Sequence, residues 1–145
     1  MMITYKQMQK EDIEKITPLF IEYWNGTGDE WTPELVERRV WQVLGSPDSY
    51  CMIAEEQEQA IGFAMGRFET FYDLTVYHLV EIIVASQYQK SGIGSQMMAE
   101  LEKRVKEMGA SVMQLICVGD EMHEHFYGKL GYADAENLKY KAKIL

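Results

Sequence analysis

The sequence has little of what would mark a secreted, metal-bound, membrane or nucleic-acid-binding protein. Its two cysteines, Cys51 and Cys117, lie far apart, each in an apolar strand-like run. That placement predicts buried free thiols rather than a disulfide or a metal pair. There are three histidines, and His123 and His125 are two apart, which on a helix turns them to different faces, so no metal is expected. No apolar run approaches the ~20 residues of a membrane span, and no membrane partner is expected. The stretch Met1 to Lys6 has no charged segment leading into a long apolar one, so a cytoplasmic location is the expectation. Basic residues are few, 14 against 23 acidic, for a net charge of −9. This argues against a nucleic-acid partner held through phosphates. It also raises the local concentration of cations and so favours a cationic substrate, although solubility alone would produce the same balance.

What is present suits one globular domain: 145 residues, 47% hydrophobic and 12% aromatic, without an internal repeat or low-complexity segment. Ile3 to Gln7 reads as a first strand. A helix follows from Lys10–Asp12, with Ile13, Ile16, Leu19, Phe20 and Tyr23 as its apolar stripe and Pro18 as a kink or a late start. Residues 24–32 form a turn-rich loop framed by Trp24 and Trp31, and Thr32-Pro33 starts a second helix running to about Leu44. Tyr50–Glu55 and Ala60–Phe68 read as an antiparallel hairpin, and Val76–Val84 as a fourth strand. A helix then ends at Gly109. Val112–Val118 reads as a strand covered on both faces, Met122–Leu130 as a short helix and Leu138–Ile144 as a last strand. The order predicts a mixed sheet with helices on its faces and a right-handed crossover around the helix after the fourth strand.

Between that fourth strand and that helix lies Gln89-Lys90-Ser91-Gly92-Ile93-Gly94. The apolar residues Ile93, Met97, Met98, Leu101, Val105 and Met108 recur at helical spacing, so the glycines sit at a strand-to-helix turn. A turn that opens a helix points unpaired backbone N–H groups and the positive end of the helix dipole at one spot, which suits a phosphate or pyrophosphate. Taken alone, the two glycines could equally serve only tight turning and close packing. Neither common nucleotide fingerprint is present: there is no Gly-x-x-x-x-Gly-Lys-Ser/Thr, and Met97 stands where a dinucleotide site needs its third glycine.

Element order and two local motifs together resemble the GNAT superfamily of acyl-coenzyme A-dependent N-acetyltransferases. The first motif is the family's Gln/Arg-x-x-Gly-x-Gly/Ala, present at Gln89 to Gly94. The second is its Phe/Leu-Tyr-x-Lys-x-Gly-Phe/Tyr, present at Phe126 to Tyr132, one helix and one strand later. The resemblance implies an α/β (α+β) fold with a mostly antiparallel sheet whose strands 4 and 5 splay apart, in a single domain over residues 1–145. It implies acetyl-CoA as co-substrate, its pyrophosphate on the backbone of Gln89, Lys90, Ser91, Gly92, Ile93, Gly94 and Ser95, with Lys129 also on the coenzyme side. Its pantetheine arm would lie along Ile82, Ile83 and Val84, where an amide such as that of Val84 would polarise the thioester carbonyl.

Transfer to an amine needs a base for the amine and an acid for the departing thiolate. Tyr127 resembles the family's tyrosine acid, the alternative being a packed aromatic beside Phe126. Glu81 is the expected base, an acidic residue in the otherwise apolar Leu79–Val84 and near the place where several family members carry a carboxylate. The alternative is an edge carboxylate paired with Lys or Arg, and His78 is a second candidate base. By resemblance the acceptor side comprises Trp24, Asp29, Glu30, Trp31, Tyr72 and Asp73. Aromatic and acidic residues together suit a cationic amine, a pattern similar to polyamine and aminoglycoside acetyltransferases. The tryptophans could instead anchor the loop. The implied partner is a small-molecule amine, with a protein or peptide acetyltransferase and a non-catalytic acetyl-CoA sensor as alternatives. A homodimer is compatible with the chain, and nothing in the sequence sets the oligomeric state.

Overall fold

The period-two runs around the polar Glu56–Gln59 link form the hairpin expected of them in the computed structural model, which describes residues 2–145: β2 (Ser49–Glu56) pairs antiparallel with β3 (Gln59–Phe71). Gln57 and Glu58 make its two-residue turn, both at positive φ. With β1 (Thr4–Gln7), β4 (Leu74–Val84) and β5 (Val112–Leu115) they form one sheet in the order β1-β2-β3-β4-β5. Every neighbouring pair is antiparallel except β4 and β5, which are parallel, as a crossover through an intervening helix requires.

Four helices cover the sheet. On one face lie α1 (Ile13–Asn25), which follows a 3₁₀ turn at Lys10–Asp12 and contains Pro18 without ending there, and α2 (Pro33–Leu44), capped by the Thr32 hydroxyl accepting from the Leu35 N–H. Their apolar stripes meet β3 and β4 in a core that includes Ile16, Phe20, Val36, Val40, Phe63 and Ile83. On the other face, α3 (Ile93–Glu107) packs Met98, Leu101 and Val105 over Tyr77 and Leu79, and α4 (Glu121–Lys129) adds Phe126 and Tyr127 to the same cluster. Gly109, at φ +114°, follows α3 in the left-handed conformation expected of it. No helix among the described residues is long and apolar enough to cross a membrane.

Three expectations are corrected. β5 stops at Leu115 instead of Val118, because β4 pairs with it only from Val76 to Leu79 and, among the described residues, nothing pairs with its other edge. Cys117 is therefore exposed, whereas Cys51 is buried as expected. The last strand, Leu138–Ile144, does not form: the alternating pattern is there, but no strand edge is paired with it, and a strand without a partner leaves its backbone groups to water.

Candidate active site

Beyond Leu79 the two parallel strands part. β4 continues for five residues, Val80–Val84, with β3 on one side and an open gap on the other. Into that gap faces a pocket of about 210 Å³. It is walled by Tyr23 and Trp24 from α1, Glu81 and Ile82 from β4, Ile116 to Val118 after β5, and His123 and Tyr127 from α4.

A bulge aims Glu81. Met65 of β3 opposes Glu81 but its neighbour Gly66 opposes Leu79, so Val80 is the extra residue. The slip ends the alternation of Tyr77 and Leu79 toward α3: Val80 packs on the α1/α2 side, as does Ile83, and Glu81 faces Trp24 and Arg39. Gly66 permits the bulge, since a Cβ there would stand 2.4 Å from the His78 carbonyl oxygen and 2.5 Å from the Tyr77 hydroxyl. Burial pushes the Glu81 carboxyl up to about 7, against weaker pulls the other way from the Arg39 charge and the Trp24 indole. The buried Trp24 Nε1–H points toward that carboxyl but, among the described residues, comes within hydrogen-bond distance of no acceptor.

Tyr127 sits on the opposite wall, wedged edge-on between Phe126 and Tyr132 at ring distances of 5.0 and 5.9 Å. Burial, with lesser contributions from Cys117, Glu81 and Tyr23, raises its hydroxyl to about 12, so it keeps its proton at neutral pH. Asp120 caps α4 through the His123 N–H and also holds His123 Nδ1 at 2.6 Å, which orients that ring at the pocket wall.

The glycine turn lies at the far end of β4. The Gln89 side chain donates to the Val84 carbonyl at 3.0 Å, tying the turn to the strand. Lys90 at φ +62° and Gly92 at φ +86° carry the backbone through left-handed conformations into α3. The first helical bond runs from Gln96 N–H to Gly92 C=O, so the amides of Ile93, Gly94 and Ser95 have no carbonyl beneath them. A Cβ on Gly94 would come within 3.2 Å of the Phe126 ring, so this glycine brings α3 against α4 beside Tyr127. The side chains of Ile83 and Ile93 point into the core, leaving only their backbones at the site. Lys129 Nζ lies 5.5 Å over the Phe126 ring.

Of the acceptor-side residues, only Trp24 lines the pocket. Trp31 packs edge-on against Phe20 at 4.8 Å, its indole N–H donating to Asp29, and neither reaches the pocket. Glu30 is exposed in the same loop. Tyr72 and Asp73 form the exposed β3–β4 turn, eight residues or roughly 26 Å along the strand from Glu81. His78 is engaged with Gln114 across β5 and does not line the pocket; burial lowers its pKa. Sequence reasoning missed Tyr23, Cys117 and His123, which carry no motif and meet only because α1 and α4 face each other across the parted strands.

An amide cradle at a glycine turn, a gap between parallel strands, and a half-buried carboxyl sharing a pocket with a half-buried phenol are the frame of an acyl-transferring enzyme. The chain belongs to the acetyltransferase (GNAT) family, whose model matches residues 13–132. Among solved structures, aminoglycoside N-acetyltransferase AAC(6')-Iy in complex with CoA is similar at a TM-score of 0.79 and 20% identity, over 98% of this chain and 95% of that one. A GNAT family acetyltransferase from Staphylococcus aureus aligns over the full length of both chains at 0.77 and 16% identity. Aminoglycoside acetyltransferase meta-AAC0020 from an uncultured soil metagenomic sample, in complex with sisomicin, aligns at 0.77 and 13%, over 99% and 96%. At these identities the likeness is one of fold. No curated protein matches the chain.

Proposed function

We propose that this protein transfers an acetyl group from acetyl-CoA to the amine of a small cationic molecule, with Glu81 as general base and Tyr127 as general acid. The observation that carries the reading is the Glu81 carboxyl, held at about 7 in a pocket it shares with Tyr127. A base of that pKa is half ionised near neutral pH, where it best combines availability with proton affinity.

The residues suit the coenzyme. The unpaired amides of Ile93 to Ser95, joined by the backbone of Lys90 to Gly92 and the charge of Lys90, form a donor surface for a pyrophosphate; the Gln89 N–H is already given to the Ser86 carbonyl at 3.2 Å. Ile82 to Val84 offer an edge with no strand on the β5 side, where an extended pantetheine arm fits as a pseudo-strand. When bound, the thioester supplies an activated acyl carbon. The protein's own part is to hold an amine beside it, take the amine's proton on Glu81, and return a proton to the thiolate from Tyr127.

A cationic acceptor is supported by the pocket's make-up: the carboxyl of Glu81, the carboxylate of Asp120 behind His123, and the aromatic faces of Tyr23, Trp24 and Tyr127. AAC(6')-Iy is an aminoglycoside N-acetyltransferase and meta-AAC0020 an aminoglycoside acetyltransferase seen in complex with sisomicin, which fits the same chemistry. Asp29, Glu30, Trp31, Tyr72 and Asp73 would take part only with the far end of a longer acceptor. Free-thiol release from acetyl-CoA over a panel of polyamines, aminoglycosides, amino acids and peptides tests the proposal. Turnover with polyamines or aminoglycosides is expected. Tight coenzyme binding with no thiol release from any amine would overturn it, and release with peptides alone would overturn the acceptor class.

A further inference from the structure

The end of α1 is fixed more firmly than a surface loop requires, and one polar atom is left over. Three donors converge on the Trp24 backbone carbonyl: the Thr27 hydroxyl at 2.7 Å, the Thr27 N–H at 3.1 Å and the Asp29 N–H at 3.4 Å. Asn25 closes the loop behind it, its side chain accepting from the Trp31 N–H at 2.8 Å and donating to the Trp31 carbonyl at 3.2 Å. The Trp24 ring stands edge-on to Tyr23 at 5.0 Å and packs on the core between the helices and the sheet. Residues 24–32 therefore hold both the backbone and the ring of Trp24 in place. An indole N–H can only donate, and a buried donor is ordinarily paired. That of Trp24 reaches no acceptor among the described residues, yet it points toward Glu81 in the pocket the two share.

The Glu81 carboxyl is short of partners in its turn. Among the described residues no salt bridge holds it, and Arg39 of α2 acts on it through charge alone. The other titratable groups around it are Tyr23 of α1, Cys117 after β5, and His123 and Tyr127 of α4, while β3 opposes it with Met65. An ionised carboxyl only accepts, and a hydrogen bond to the charged form favours that form. We propose that Trp24 is the positioning residue of Glu81, its indole N–H closing onto the carboxylate when the proton leaves and keeping the base ionised and aimed into the pocket. This rests on the reading of Glu81 as general base. Without that N–H, burial would act on the carboxyl with only the Arg39 charge against it, and the base would stay mostly protonated at neutral pH.

The test needs no turnover. Carbon-13 resonances of the side-chain carboxyls, with Glu81 assigned by its absence from Glu81→Gln, follow the titration of this one group. Its midpoint should rise from about 7 in the unaltered protein to about 8 in Trp24→Phe, which keeps an aromatic ring and removes the N–H. Replacing the Trp24 indole by benzothiophene, the same shape with sulfur in place of N–H, should raise it equally and so separates the hydrogen bond from packing. In kcat/KM the Trp24→Phe deficit should be about fivefold at about pH 7 and close by about pH 9, as a loss of ionised base requires and a distorted site does not. A midpoint that stays near 7 in both replacements overturns the proposal, as does a deficit of equal size at both pH values. A raised midpoint without thiol release from any amine supports the hydrogen bond and overturns only the general-base reading.

Discussion

Glu81 is one residue in an apolar strand, and its cost and its use have the same cause. A carboxyl raised by burial from 4.5 to about 7 favours the folded state fully below the unfolded value, and that advantage is lost as pH rises through 7. Glu81→Gln should therefore leave stability unchanged near pH 4 and raise it by about 2–3 kcal/mol above about pH 8. Chemical denaturation of both proteins at the two pH values checks this. Equal stability at the higher pH would mean the carboxyl is not desolvated. Tyr127 has the converse property, a proton it does not release near neutrality. Tyr127→Phe should lower turnover by about 10²-fold while the Kd for coenzyme A changes less than about twofold. Unchanged turnover would remove the acid role. Both residues were legible in the sequence, Tyr127 through a motif and Glu81 as a lone charge among β-branched and leucine neighbours. What turns Glu81 toward Trp24 is the bulge at Val80, and its only trace in the sequence is Gly66 on the facing strand.

Among the elements, turns carry the strain. The β2–β3 turn places Gln57 at φ +50° and Glu58 at φ +65°, where asparagine and glycine are at ease. Replacing the pair by Asn-Gly should raise stability by about 1 kcal/mol, read as a higher melting temperature with unchanged activity. The glycine turn before α3 behaves in the opposite sense. A Cβ on Gly92 meets nothing within 4 Å, but φ +86° is a conformation other residues rarely hold. Gly92→Ala should weaken coenzyme A binding by about tenfold and cost about 1 kcal/mol of stability, because the amides it aims would shift. Calorimetric titration with coenzyme A is the readout, and unchanged affinity would detach this turn from the coenzyme.

At the scale of the whole molecule, periodicity anticipated the four helices and the five strands that form, whereas the strand read at Leu138–Ile144 and the extension of β5 to Val118 are not there. Gln89 to Gly94 and Phe126 to Tyr132 are local in sequence, and local patterns survive without knowledge of the fold. The lining of the pocket was not legible in the same way. Tyr23 lies almost a hundred residues before Cys117 and His123, and they meet because β4 and β5 part after Leu79, a consequence of pairing rather than of any single stretch. Leu138–Ile144 shows the same limit from the other direction: its alternation is that of a strand, yet strand formation depends on an edge that must be supplied.

In the proposed reaction two protons move in one pocket, the amine's onto Glu81 and another from Tyr127 to the thiolate. The most direct test is the pH dependence of kcat/KM for an accepted amine in the unaltered protein and in Glu81→Gln. The unaltered protein should show an acidic limb with a midpoint near 7 that is absent from the variant, whose rate is lower throughout. A limb near 7 that persists in Glu81→Gln would contradict it.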